Sequence, residues 1–120
     1  MKSSLTSRVS TVDIDWKQLH QLSDGNTEFE VELLKIFFVE TKTRLQLLES
    51  ALADRDCHTL QYLAHQIKGA SGNVGLRKMW QAATELEKQA RQQDLSHGSL
   101  LLTQLNNSLL VVQDFLEATT

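Results

Sequence analysis

Apolar residues along this chain recur at alternating steps of three and four, the spacing that lines one face of an α-helix. The longest series is Val31, Leu34, Phe38, Thr41, Leu45, Leu48 and Leu52, a seam along a helix of about seven turns. Leu60, Leu63, Ile67, Ala70 and Val74 form a second stripe, Leu76, Met79, Ala83, Leu86 and Ala90 a third, and Leu102, Leu105, Leu109, Val112 and Leu116 a fourth. A shorter segment carrying Trp16, Leu19 and Leu22 precedes them, with Asp15 placed to cap it and Ser23-Asp24-Gly25-Asn26 to end it. Thr27 and Glu30 have capping-box spacing for the long helix, Asp56 begins the next, and Gly75 supplies its stop.

Proline is absent, and glycine falls only at positions 25, 69, 72, 75 and 98, so little interrupts these helices. Short connections between long helices favour antiparallel neighbours. The expected fold is all-α, an antiparallel up-down-up-down four-helix bundle over residues 13–118 with a short N-terminal lid helix. A polar, flexible tail is expected over 1–12.

The chain has 120 residues, 41% of them hydrophobic, which suits one compact core. Cys57 is the single cysteine and has no internal disulfide partner, as fits a reducing compartment. No apolar run approaches the roughly 20 residues of a membrane span, and the polar opening lacks the core of a signal peptide. A cytoplasmic protein is expected, with no membrane association. Net charge −3 argues against nucleic acid, whose binders normally show a basic face. Four helices can close their own core, so a monomer is expected, and Met1 together with clean helical ends favours a free-standing protein.

Chemistry concentrates in Ala64-His65-Gln66-Ile67-Lys68-Gly69-Ala70-Ser71-Gly72-Asn73-Val74-Gly75. At about 100° per residue, His65 lies roughly 160° from the centre of its apolar stripe, among Gln61, Lys68, Gly69 and Gly72. It therefore faces outward. A glycine inside a helix costs roughly 1 kcal/mol relative to alanine, a loss that a solvent face does not repay but a docking face does, by close backbone approach. Gly72 and Gly75 have a blander reading, as marks of an early helix end. Lys68 lies one turn from His65, where its ammonium can neutralise an anion on the ring.

Glu87 is a second oddity, because it falls within the stripe of Ala83, Leu86 and Ala90. A carboxylate there needs a partner. Spacing leaves two open: Arg91, four residues on along the same helix, and His65 across the interface.

His65, Lys68, Gly69, Ala70, Ser71 and Gly75 fill the signature of a known family, and the chain resembles the histidine-containing phosphotransfer (HPt) domain of multistep two-component phosphorelays. Glu32-Leu33-Leu34-Lys35-Ile36-Phe37 and Ala51-Leu52-Ala53-Asp54-Arg55-Asp56 look like the family's second helix and the loop before its histidine helix. The resemblance covers Asp13 to Glu117. It implies that a Gln or Glu 22 residues beyond the histidine, here Glu87, hydrogen-bonds the imidazole. It further implies a phosphoryl carrier without autokinase activity, with His65 as phosphoacceptor, Lys68 offsetting phosphoryl charge and Glu87 orienting the ring. Gln61, Gly69 and Gly72 would belong to the docking face. The implied partners are receiver domains of response regulators or of a hybrid histidine kinase. No cofactor is implied for this chain, since Mg²⁺ is expected on the receiver, and no metal ligands.

Other classes fit less well. A metal or haem bundle on His20, His58, His65 and His97 lacks a Glu-x-x-His pair and would need ligands on an outward face. No Gly-rich phosphate loop lies between strand and helix, as a kinase or nucleotide hydrolase would require. A sensor-kinase dimerisation helix typically carries an acidic residue after its histidine and a proline soon afterwards, where this chain has Gln66 and none. A non-catalytic helical adaptor using the same face remains the alternative.

Overall fold

The structure, a computed structural model, describes residues 14–119; the tail expected over 1–12 lies outside them. Helix α1 is Trp16–Ser23, α2 Thr27–Ala53, α3 Cys57–Asn73, α4 Arg77–Arg91 and α5 Gly98–Thr119. Helices α2 to α5 pack in a ring, each against the next and α5 back against α2, and the α3–α4 contact is the most extensive.

Contacts of α1 set the helix directions. It reaches Glu30 at the start of α2 and Phe115 near the end of α5, and Gln18 donates to the Gly72 carbonyl at the end of α3. Just before α1, Asp15 meets Arg77 at the start of α4. Two helix starts and two helix ends thus share one end of the bundle, which is the antiparallel order with α1 across it as the lid.

Local signals account for most boundaries. Asp15 Oδ1 accepts from Gln18 N and Asp56 Oδ1 from Thr59 N, each at 3.1 Å, satisfying donors that a helix leaves free at its start. Helix α3 ends in a Schellman arrangement: Gly75 N–H donates to Gly72 O at 3.3 Å and Leu76 N–H to Ser71 O at 2.9 Å, with Gly75 at φ +77°. A side chain at Gly75 would also meet the Asp15 carbonyl oxygen at 2.8 Å. Asp15 N–H donates to that glycine's own carbonyl at 2.7 Å, so this residue both stops α3 and seats the lid. Gly72 remains helical, in the last turn.

The start of α2 differs from the capping-box expectation. Asn26, not Thr27, is the cap, its Oδ1 accepting from Phe29 N at 3.1 Å. Glu30 does not fold back to the helix start. It is buried in the seam and accepts hydrogen bonds from Ser23 and His20. The core edge of α2 shifts accordingly, with Glu30 and Phe37 buried while Val31 and Phe38 are only half-buried. Side chains of α1 demand an acceptor there, and that tertiary requirement overrides the cap.

Candidate phosphotransfer site

Helices α3 and α4 together build the site. Leu60, Leu63, Ala64, Ile67 and Ser71 bury one face of α3, which turns His65 outward with 66% of its side chain exposed. The facing side of α4 buries Met79, Ala82, Ala83, Leu86 and Ala90, and with them Glu87, 8% exposed. Glu87 is placed at the rim of that interface, where it meets His65.

Its two oxygens divide the surrounding donors. Oε2 lies 2.9 Å from His65 Nδ1 and 3.4 Å from Arg91 Nη2, while Oε1 lies 2.7 Å from Lys68 Nζ. The two partners that spacing left open are therefore both present, with Lys68 as a third. Burial pushes the Glu87 carboxyl up, but hydrogen bonds from Lys68 and His65, together with their charge, outweigh it and hold the group below its ordinary range. Glu87 is accordingly ionised at neutral pH and can only accept. The proton of a neutral His65 then sits on Nδ1, and Nε2 keeps its lone pair, with no protein partner among the described residues.

Lys68 stands differently from its expected direct role, since its ammonium is engaged by Glu87. Gly69 is exposed, and a methyl group there would meet nothing within 4 Å. No packing inside the chain demands glycine at that place, which leaves clearance beside His65 as its effect. Gly72 has a close neighbour within its own chain. A Cβ there would lie 3.3 Å from the Trp80 indole, so this glycine makes room for Trp80 of its own chain. Gln61, one turn before His65, is half-buried and does not join the cluster.

The sequence reading did not single out Trp80 or Tyr62. Tyr62 is exposed one turn before His65, and its Oη accepts from Gln66 Nε2 at 3.1 Å. An exposed aromatic one turn before the histidine would have been the signal for Tyr62. The four histidines do not gather, and among the described residues no group of three or more His, Cys, Asp or Glu is arranged to hold a metal ion. No helix among the described residues is long and apolar enough to cross a membrane.

Comparison with known proteins bears on the family and the fold. The chain is 30% identical over 105 residues to multistep phosphorelay regulator 1 of Schizosaccharomyces pombe, a match covering 82% of this chain but 36% of that protein. The crystal structure of histidine-containing phosphotransfer protein B from Pseudomonas aeruginosa superposes with a TM-score of 0.82 at 28% identity, covering 90% of this chain and 94% of that one. An HPT domain from a Shewanella hybrid histidine kinase shares the fold, with a TM-score of 0.74 at 17% identity and coverage of 90% and 93%. The Hpt domain family model matches residues 32–117, a span holding His65, Lys68, Glu87 and Arg91, and the chain belongs to the Hpt domain family.

Proposed function

We propose that this chain is a phosphohistidine intermediate of a multistep phosphorelay, with His65 as the acceptor. The observation that carries the reading is His65 Nδ1 held at 2.9 Å by a buried, ionised carboxylate while most of the ring stands in water. A carboxylate on one ring nitrogen fixes the tautomer and frees the other as nucleophile. Nε2 attacks the phosphorus of a receiver's aspartyl phosphate, the P–O bond to the aspartate breaks, and the carboxylate leaves. The Nδ1 proton stays on its hydrogen bond to Glu87 throughout. Transfer to a second receiver is the reverse sequence on another aspartate.

Positive charge is supplied by Lys68 and Arg91, both bonded to the carboxylate that holds His65, and it offsets the negative charge that a phosphoryl group brings. Clearance at Gly69 admits the partner's loops, and the exposed Tyr62, one turn before the histidine, offers apolar contact. A receiver brings its own Mg²⁺ and acidic pocket, so this chain provides a nucleophile and a surface. The chain acts as a carrier without autokinase activity, as a cytoplasmic monomer.

Intact mass tests this directly. Incubation with a phosphorylated receiver adds one phosphoryl group to the chain, stable in alkali and lost in acid, and His65→Gln removes the addition while circular dichroism stays that of the folded bundle. A receiver that binds the chain without any mass change would make it an adaptor instead.

A further inference from the structure

A second histidine repeats the arrangement at His65. On α1, His20 Nδ1 bonds Oε2 of Glu30 on α2. The His20 side chain is 53% exposed and that of Glu30 3%, so an open imidazole again rests on a carboxylate buried in the neighbouring helix. Ser23 Oγ donates to the same oxygen at 2.6 Å. Burial pushes the Glu30 carboxyl up, but the bonds from Ser23 and His20 and the charge of His20 outweigh it and keep it ionised. An ionised carboxylate only accepts, so the proton of a neutral His20 belongs on Nδ1 and its lone pair on Nε2. Lys17 lies three residues earlier on the same helix, one turn away on a neighbouring face.

His58 and His97 provide a contrast within the chain. Both are exposed, yet among the described residues neither ring is hydrogen-bonded to a carboxylate, and His97 Nδ1 has only the Ser96 hydroxyl, at 3.4 Å. Of the four histidines, two are therefore oriented nucleophiles and two are ordinary surface rings.

We propose that His20 is a second phosphoacceptor, oriented by Glu30 and serving small acyl phosphates rather than a receiver domain. Helix α1 carries no glycine, and the Trp16 ring lies 6.3 Å from the His20 ring. A bulky partner's loops thus find no clearance like that beside His65, whereas a small donor needs none. Nε2 attacks the phosphorus, the acyl P–O bond breaks, the carboxylate leaves, and the Nδ1 proton stays on Glu30.

Acetyl phosphate is the probe, applied to the full chain carrying His65→Gln, with phosphorylated sites located by fragmentation mass spectrometry under alkaline conditions. His20 is labelled about tenfold faster than His58 and His97, the scale of effect typical when a carboxylate orients an imidazole. Glu30→Gln brings it down to their rate. Labelling of His20 no faster than the other two overturns the proposal, as does an unchanged rate in a folded Glu30→Gln chain. Should that variant fail to fold, the ratio among histidines in the parent chain still decides. Transfer from a receiver to His65 is measured separately in the wild-type chain, so the phosphorelay reading and this one fail independently.

Discussion

Two histidine–glutamate pairs stand in this bundle, and what surrounds each carboxylate separates them. Glu87 receives Lys68 and Arg91 as well as His65, so its charge stays balanced with the imidazole neutral. Among the described residues Glu30 has only His20 and Ser23. Both carboxylates hold a ring, yet among the described residues only the first is also bonded to cations. Their mechanical roles also differ. The Glu87 pair joins α3 and α4 where a broad apolar interface already holds them, whereas the Glu30 pair ties the short lid helix to α2. Burial and a hydrogen bond are thus common to both, and the cations bonded to Glu87 are the difference between them among the described residues.

Alanine substitutions separate the two most strongly. Glu87→Ala is expected to slow phosphotransfer about tenfold or more, the usual scale for losing a group that orients an imidazole. Its stability cost stays small, because Lys68, His65 and Arg91 can each turn to water. Glu30→Ala is expected to do the reverse, with wild-type receiver transfer and a loss of about 1.5–3 kcal/mol, the worth of hydrogen bonds to a buried charged group. Urea unfolding and transfer kinetics on both variants check this; equal effects would erase the distinction.

Acidification acts on both pairs in one direction. Each carboxyl lies below its ordinary value of 4.5 in the folded chain, so its stabilisation is complete above that value and vanishes as pH falls through the lower folded one. Unfolding free energy should drop below pH 4.5 in the wild type, and drop less steeply in Glu30→Gln and in Glu87→Gln, as followed by urea melts at successive pH values. An unchanged slope would mean that these carboxylates titrate alike in both states.

Lys68→Ala sharpens the electrostatic half of the comparison. Receiver transfer falls several-fold at low ionic strength and much less near 1 M salt, where the Debye length is about 3 Å. His20 labelling in the same variant is unaffected at either salt concentration. Gly69→Ala is the finest test. A methyl group there meets nothing in its own chain, so stability rises by up to about 1 kcal/mol through helix propensity while receiver transfer slows. A faster or equal rate would show that no partner approaches that backbone.

Much of this was legible from periodicity and punctuation alone. The stripe of α4 is buried as read, and Asp15, Asp56 and Gly75 act where short-range rules place them, because capping and left-handed stops depend on atoms three or four residues apart. His65 could be called outward and Glu87 out of place on its own helix, since a stripe position reports the local surroundings of each residue. The sequence by itself thus determined the helices and the bundle, and it pointed to His65 and Glu87 as the residues of the candidate site.

Choices among partners needed the tertiary structure. Spacing left Glu87 between Arg91 and His65, and the packing of α3 on α4 lets one carboxylate hold both, with Lys68 on its other oxygen. Gly72 read as docking clearance, and the structure adds the Trp80 indole beside it, a neighbour that spacing does not show. Glu30 read as a cap because its distance from Thr27 is visible in sequence, whereas the approach of His20 and Ser23 from another helix is not. Contacts between helices depend on rotation and register that no one-dimensional pattern carries, and a buried carboxylate goes to whichever donors that geometry delivers.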